Sequence, residues 1–307
     1  MAGLQEVVSA LVYGAIQGSL FGAVSLGLSL IWGVMKVINL AHGELVVLGA
    51  YLAVLLAKAY GVDPLLALLL DFALGAILGL VMFYAILYRL IGKVDVMTLK
   101  EEMATLLAMF GLSIFLYKFF FIWTESSPSL SLYETMPRTG LLAGASAVSI
   151  AGVSVEAAKL FVLAVSILLA VAMHFFLSKT MLGLAIRAVA QDATAVALVG
   201  MDPVRVKVLA TVVGIGLTLL GGGLVALYHG TGISPELVHI YAPLSFVIVV
   251  LGTPGHLWGT MIAGIVIGEV YNLVYALTGS LSLGFAAAFA ILVAVLVLRP
   301  EGLFAKR

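Results

Sequence analysis

The feature that most constrains this chain is a series of apolar runs, about 20 residues long, that carry little or no charge. Clear cases are residues 10–32, 205–228 and 281–298. Each run is long enough to cross roughly 30 Å of hydrocarbon as an α-helix. The mean hydropathy of +1.25 is far above that of soluble domains. The chain is therefore predicted to be an integral membrane protein built from helices.

Hydropathy, read with breaks at charges, glycine and proline, predicts eight spans. A shorter apolar piece, 240–252, is predicted either as a re-entrant half-helix or as a steep, short crossing, because it is short for an untilted span. The expected fold is an all-α polytopic transmembrane bundle that forms a single domain over residues 1–307. The eight spans are 10–32, 39–59, 64–90, 101–123, 157–178, 205–228, 257–277 and 281–298.

The distribution of lysine and arginine predicts the orientation. If the spans alternate and the short piece crosses, eleven of the fifteen basic residues fall on one side, and basic residues are enriched in cytoplasmic loops. This places the N-terminus outside and the C-terminus in the cytoplasm. The cytoplasmic set is Lys36, Arg89, Lys93, Lys100, Lys179, Arg187, Arg205, Lys207, Arg299, Lys306 and Arg307, and the external set is Lys58, Lys118, Arg138 and Lys159.

Composition and missing motifs exclude several classes of function. The formal net charge of 0 gives no general attraction to nucleic acid. The absence of cysteine excludes disulfides, thiolate metal sites and a cysteine nucleophile. The histidines are scattered near helix ends, and no nucleophile and base, or pair of carboxylates, lie together in the spans. No metal, cofactor or enzymatic activity is predicted for this chain.

Small residues repeat at helical spacing in several spans. Gly14, Gly18 and Gly22 recur every fourth residue, which forms a smooth stripe on which another backbone can approach closely. Such stripes indicate tight packing inside one bundle. A subunit interface is the alternative for this first stripe.

Two polar segments separate the spans. Residues 124–156 form a predicted external loop, rich in serine and threonine and partly structured. Residues 178–207 form a cytoplasmic loop that is too charged to span and too regular for a linker. Leu184, Ala188, Ala195 and Leu198 fall near one helical face, whereas Arg187, Gln191 and Thr194 fall on another.

The end of this cytoplasmic loop carries helix stop and start signals. Gly200 is a predicted helix stop, and Asp202 and Pro203 are the N-cap and first residue of the next span. The pattern predicts a short amphipathic helix against the inner face of the membrane. It either lines the lipid interface or docks a cytoplasmic partner.

Polar residues inside the apolar runs are the candidates for a transport pathway. In "VINLAHGELVVLGAY" (37–51), Asn39 is a predicted N-cap. Glu44, near the first turn, interacts favourably with the positive end of the helix dipole. With His42, they either begin a broken helix that lines a pathway or cap a helix at the interface. Glu269, followed by Asn272, either binds a substrate ammonium or joins two helices.

The chain resembles the inner-membrane permease subunits of ABC importers for branched-chain amino acids, along nearly its whole length. The specific matches are "GLSLIWGVMKVINLAHGELVVLGAY" (27–51) and "RAVAQDATAVALVGMDPVRVK" (187–207). Supporting matches are "LGTPGHLWGTMIAGIVIG" (251–268) and "VLRPEGLF" (297–304).

The resemblance implies a multi-pass inner-membrane protein that pairs with a second permease subunit, identical or similar. It also implies two cytoplasmic ATPase subunits and a periplasmic or extracellular substrate-binding protein. The chain has no phosphate-binding loop of its own. ATPase coupling would then fall to Arg187, Gln191, Thr194, Ala195, Gly200, Met201 and Asp202. Thr194 stands where such importers often carry a glutamate.

The implied cargo is a branched-chain amino acid. Transport of urea, short amides or other amino acids by the same family is the nearest alternative. A secondary transporter is the next one, but it would need a coupling-ion site.

Overall fold

The computed structural model describes residues 3–92, 97–126, 135–137, 147–230, 232–299 and 302–304. These residues form eleven α-helices and one two-stranded antiparallel hairpin. The helices are α1 Leu4–Met35, α2 His42–Tyr60, α3 Pro64–Ile91, α4 Leu99–Ser126, α5 Ala157–Lys179, α6 Met181–Gln191, α7 Ala193–Leu198, α8 Pro203–Tyr228, α9 Val238–Gly252, α10 Leu257–Thr278 and α11 Leu281–Leu298. The strands are β1 Val148–Ile150 and β2 Val153–Val155.

Nine segments within the described residues are helical, long and apolar enough to cross a membrane. The predicted all-α polytopic bundle is confirmed, and all eight predicted spans are helices. The ninth segment, Pro235–Gly252, consists of α9 and the 3-10 turn before it. It begins beside the end of α8, where the Nε2 of His229 and the hydroxyl of Tyr241 lie 2.8 Å apart. Its other end lies beside the last turns of α1, where the ring of Phe246 is 6.2 Å from that of Trp32, so it runs from one end of the bundle towards the other.

The sequence fixes several helix ends through local chemistry. The side chain of Asp63 accepts a hydrogen bond from the backbone N–H of Leu65, and Pro64 opens α3. Asp202 and Pro203 do the same for α8, which confirms the predicted cap. Between Phe83 and Leu87, α3 contains one π-helical turn.

Helices α1 and α8 form the centre of the bundle, and α11 lies at its periphery. The glycine stripe of α1 packs against α10: Gly18 meets the backbone of Ile265, and Gly264 and Gly268 meet Gly22 and Gly18 in return. Close backbone approach of this kind requires small residues on both helices. The stripe is therefore used within the chain, and the alternative that it forms a subunit interface is wrong.

The start of α2 differs from the prediction. The helix begins at His42 rather than Asn39, and Asn39 does not cap it. Instead, Oδ1 of Asn39 accepts a hydrogen bond from the backbone N–H of Ala41 at 3.1 Å. An asparagine that bonds to the amide two residues ahead forms a turn, which competes with the helix. Residues 36–41 therefore form a non-helical link between α1 and α2.

The cytoplasmic loop also differs, because two helices replace the single one predicted. The chain is extended at Asp192, whose side chain caps α7 by accepting from the backbone N–H of Ala195 at 2.9 Å. The predicted apolar face is also wrong: Leu184 and Leu198 are exposed, whereas Ile186 and Val189 are buried. The predicted stop is confirmed, since α7 ends at Leu198 and Gly200 has a φ of +84°.

The predicted external loop is only partly described. Helix α4 extends into it as far as Ser126, and the hairpin packs on α1, where the hydroxyl of Tyr13 donates to the carbonyl of Ser154 at 2.8 Å. Other predicted features lie outside the described residues. They are loop residues 127–134 and 138–146 and the charges at Lys93, Arg138, Lys306 and Arg307.

Candidate functional site

The first turn of α2 lies deep in the bundle. The Nδ1 of His42 is 3.5 Å from the hydroxyl of Thr218, which stands near the middle of α8. Glu44 is joined to Ser113, near the middle of α4. Because the partners of this turn are mid-helix residues, the turn lies far from both ends of the bundle. This position is typical of a broken helix, one of the two alternatives from the sequence.

Three side chains at this start are almost fully buried. The exposed fractions are 1 % for Asn39, 0 % for His42 and 4 % for Glu44. Each keeps one polar atom without a hydrogen-bond partner among the described residues, namely Nδ2 of Asn39, Nε2 of His42 and Oε2 of Glu44. Buried polar atoms normally find partners, since leaving one unpaired costs about 1–3 kcal/mol. The cluster therefore offers a donor on Asn39 and an acceptor on Glu44 to a polar ligand.

Helix α4 covers this cluster. The hydroxyl of Ser113 donates to Oε1 of Glu44 at 2.6 Å. Two turns further along, the ring of Tyr51 on α2 lies 6.0 Å from the ring of Phe120 and 6.2 Å from that of Trp123. The two helices therefore run parallel in register, with one polar contact and one aromatic contact. Most of the remaining surface of α4 is exposed.

A line of polar and aromatic groups leads from this cluster to the end of the bundle that holds the start of α9. One turn after Ser113, the ring of Tyr117 lies 5.5 Å from the ring of His239. His239 is exposed. The line therefore connects the buried carboxyl group of Glu44 to the surface between α4 and α9.

The other two pathway candidates lie elsewhere. Asn272 donates from Nδ2 to the side-chain oxygen of Gln17 on α1 at 2.9 Å and to the carbonyl of Gly268. Glu269 lies over Gly14, also on α1. The structure therefore brings Asn39, His42 and Glu44 together, but it does not bring Glu269 and Asn272 to them.

Asn272 also borders a cavity of about 720 Å³ at the end of the bundle where α1 begins. The cavity is lined by polar and aromatic residues. They include Glu6, Ser9, Tyr13, Tyr228 and Tyr275.

The coupling candidates form a second region at the opposite end. All seven are exposed, namely Arg187, Gln191, Thr194, Ala195, Gly200, Met201 and Asp202. Beside them, Leu198 is 85 % exposed and Val199 is 80 % exposed. Exposed apolar side chains and an exposed arginine on one short segment form a small amphipathic surface. We call residues 187–202 the coupling surface.

Sequence reasoning missed Ser113, Thr218, Tyr117 and His239, which complete the surroundings of the α2 start. Each stands on a different helix from Glu44, so no local pattern joins them. The spacing of Ser113 and Tyr117, one turn apart in an apolar span, is the only signal that the sequence offers. Within the described part of the chain, no three acidic, histidine or cysteine residues are grouped as metal ligands.

Comparison with known proteins gives the family. Residues 10–298 match the family described as the permease component of branched-chain amino acid transport systems. The chain belongs to this permease family.

Several proteins named as such permeases are similar to this chain over most of their length. The high-affinity branched-chain amino acid transport permease BraD of Pseudomonas aeruginosa is 26 % identical over 274 residues, covering 87 % of this chain and 86 % of BraD. The corresponding permease LivH of Escherichia coli K12 is 27 % identical, covering 83 % of this chain and 82 % of LivH. A probable permease LivH of Methanocaldococcus jannaschii is 26 % identical, with 82 % and 76 % covered. No solved structure matches this permease.

Proposed function

We propose that this permease is the membrane subunit of an ATP-driven ABC importer that moves branched-chain amino acids inward across the cell membrane. The family and the names of its similar members support the cargo class. The coupling surface supports the source of energy, and it is the observation on which the proposal rests. Most of its side chains, including Arg187, Leu198 and Val199, are exposed, whereas Val189 and Val196 pack into the bundle, so it presents charged and apolar groups that suit a protein partner.

The proposed assembly contains a second permease subunit, two cytoplasmic ATPase subunits and an external substrate-binding protein. The ATPases dock on the coupling surface, which places this end of the bundle in the cytoplasm and the N-terminus outside. Selection of the amino acid falls mainly to the binding protein. Urea, short amides and other amino acids remain the alternative cargoes.

Movement passes from the ATPase to the spans through packing. The buried face of α6, with Ile186 and Val189, belongs to the same apolar cluster as Met35 of α1 and Ala210 of α8. Packed interiors transmit displacement because they leave little free volume. A rigid-body shift of α6 and α7 would therefore move α1 and α8, the two central helices.

The start of α2 is the proposed part of the translocation pathway. Asn39, His42 and Glu44 are buried mid-bundle with unpaired polar atoms, as expected where a broken helix lines a path. The hydrogen bond from Asn272 to Gln17 favours the alternative in which the polar residues of α10 join two helices. We assign Glu269 and Asn272 to contact between α10 and α1.

The experiment is uptake of radiolabelled leucine by proteoliposomes that contain the complete importer. Arg187→Ala should lower both uptake and the amount of ATPase that co-purifies by roughly thirtyfold, because loss of a hot-spot arginine costs about 2 kcal/mol and each 1.4 kcal/mol is about tenfold. Gly200→Val should have a similar effect, since a side chain is strained at a φ of +84°.

The matched control is Lys100→Ala, an exposed basic residue at the start of α4, outside the coupling surface. It should retain wild-type uptake. Wild-type uptake by both the Arg187 and Gly200 variants would contradict the docking proposal. Accumulation of leucine by the purified permease alone, without ATPase, would favour a secondary transporter instead.

A further inference from the structure

We infer that Glu44 is the group that binds the substrate's ammonium in a central site at the start of α2, and that α4 is the cover of this site. The inference rests on the proposed function, because it takes a free amino acid as the cargo. It assigns to Glu44 the role that sequence reasoning considered for Glu269.

The first step is the arrangement of the Glu44 carboxyl group. It is 4 % exposed, Oε1 accepts a hydrogen bond from Ser113, and Oε2 has no partner in the described part of the chain. A carboxylate buried in a bundle needs a cation or several hydrogen bonds to offset its desolvation. The remaining oxygen can accept a hydrogen bond from an ammonium group without disturbing the Ser113 contact.

The second step is that the start of α2, residues 39–44, also offers a hydrogen-bond donor. Nδ2 of Asn39 is a hydrogen-bond donor without a partner among the described residues. It stands just before α2, where the helix dipole favours a negative charge. A free amino acid carries an ammonium and a carboxylate side by side. The α2 start therefore presents an acceptor and a donor to match a zwitterion, which amides such as urea are not.

The third step concerns access. Glu44 is covered on one side by Ser113 of α4, and most other side chains of α4 are partly or fully exposed. Its buried aromatic contact with Tyr51 lies two turns away, towards the end of the bundle that holds the start of α9. Outward displacement of α4 would break the Ser113–Glu44 hydrogen bond and open the line from His239 to Glu44. The small number of contacts makes α4 suited to such movement.

A second buried carboxyl group provides the comparison. Asp71 is 0 % exposed, and neither of its oxygens has a partner in the described residues. Its Oδ2 lies against Gly223 of α8, which has no side chain. Asp71 thus matches Glu44 in burial but has no hydrogen bond such as the one from Ser113. It is a suitable control position.

The experiment uses the complete importer in proteoliposomes and measures leucine uptake, ATP hydrolysis and photolabelling with a diazirine analogue of leucine. Glu44→Gln preserves an oxygen that accepts from Ser113 but removes the charge. We expect uptake to fall by at least about tenfold, the effect of losing one charge-assisted hydrogen bond. ATP hydrolysis stimulated by the loaded binding protein should stay within about twofold of wild type, because the coupling surface is unchanged.

Photolabelling separates binding from a purely structural role. In the wild type, the photolabel should attach to peptides containing residues 37–51 or 109–120, and excess leucine should prevent this attachment. Glu44→Gln should reduce the amount of label on the same peptides. A structural role for Glu44 predicts normal uptake and labelling in Glu44→Gln. Asp71→Asn, the matched neutralisation, should keep both near wild type.

The outcomes separate this inference from the proposed function. If the wild-type importer takes up leucine and the Glu44→Gln importer shows the same uptake and labelling, the role of Glu44 is overturned and the importer proposal stands. An equal loss in Asp71→Asn would also overturn it, because any buried carboxyl group would then be required. Failure of the wild-type importer to take up any branched-chain amino acid would overturn the proposed function and this inference with it.

Discussion

Individual polar residues in this bundle are distinguished by their partners rather than by their depth. Glu44, Asp71 and Asn272 are all within spans, yet Glu44 accepts from a serine, Asp71 lies against a glycine, and Asn272 joins two helices. Outside the spans, His229 follows α8 directly and lies 2.8 Å from the hydroxyl of Tyr241. Partner identity sets what each group can do.

His229 should make the stability of the protein depend on pH. Burial, with a smaller effect from the Lys159 ammonium, lowers the pKa of His229 from 6.5 to about 4. The folded state therefore prefers neutral histidine, and the free energy of unfolding falls as pH decreases from 6.5 towards 4. His229→Gln should show a smaller fall in melting temperature over that range, measured in detergent. Parallel pH profiles for the variant and the wild type would contradict this assignment.

The helices differ in how much of their surface is in contact with other helices. Helix α8 packs on α1, α2 and α3 through small residues, whereas α4 contacts its neighbours along one narrow face. A Cβ at Gly222 of α8 would lie 2.0 Å from the carbonyl oxygen of Val46 on α2. At Gly111 of α4, a Cβ would meet nothing within 4 Å. The same residue type therefore has different roles in the two helices.

Replacement of these two glycines by alanine should have opposite effects. Gly222→Ala should destabilise the bundle by about 1–3 kcal/mol, because the added methyl group forces α2 and α8 apart. Gly111→Ala should be neutral or stabilising by up to about 1 kcal/mol, because alanine favours a helix. Melting of both variants in detergent provides the measurement. Equal melting temperatures would show that the α2–α8 contact tolerates the added volume.

At the scale of the whole molecule, two regions lie apart. One is the central cluster at the start of α2, and the other is the coupling surface at one end of the bundle. In the proposed topology, all nine candidate spans of the described residues cross, so the two ends of the chain lie on opposite sides of the membrane. The distribution of basic residues predicts that the coupling end faces the cytoplasm. The central helices α1 and α8 are the proposed route by which movement at one region reaches the other.

Single cysteines test this orientation directly, because the chain contains no cysteine. Tyr60, at the end of α2, is 74 % exposed, and Val199, in the coupling surface, is 80 % exposed. In intact cells, a membrane-impermeant maleimide should label Tyr60→Cys and should label Val199→Cys only after the membrane is opened. The reverse pattern would invert the proposed topology. Labelling of both positions in intact cells would show that the protein does not have one fixed orientation in the membrane.

The sequence by itself determined the class of protein and the positions of the spans. Twenty-residue apolar runs leave few alternatives to membrane helices, because every backbone polar group must be satisfied within lipid. Local chemistry also placed the cap at Asp202 and the stop at Gly200. The sequence could not place the start of α2, because Asn39 bonds to the amide of Ala41 instead of capping the helix.

Only the tertiary structure decided which polar residues meet. The sequence leaves two roles open for Glu44 and two for Glu269, since each is a carboxyl group in an apolar run. The partner of Glu44 is 69 residues away along the chain, on α4, and the neighbour of Glu269 is a glycine of α1. Such contacts depend on how helices pack side by side, and hydrophobic periodicity specifies which face is buried without specifying the helix that buries it.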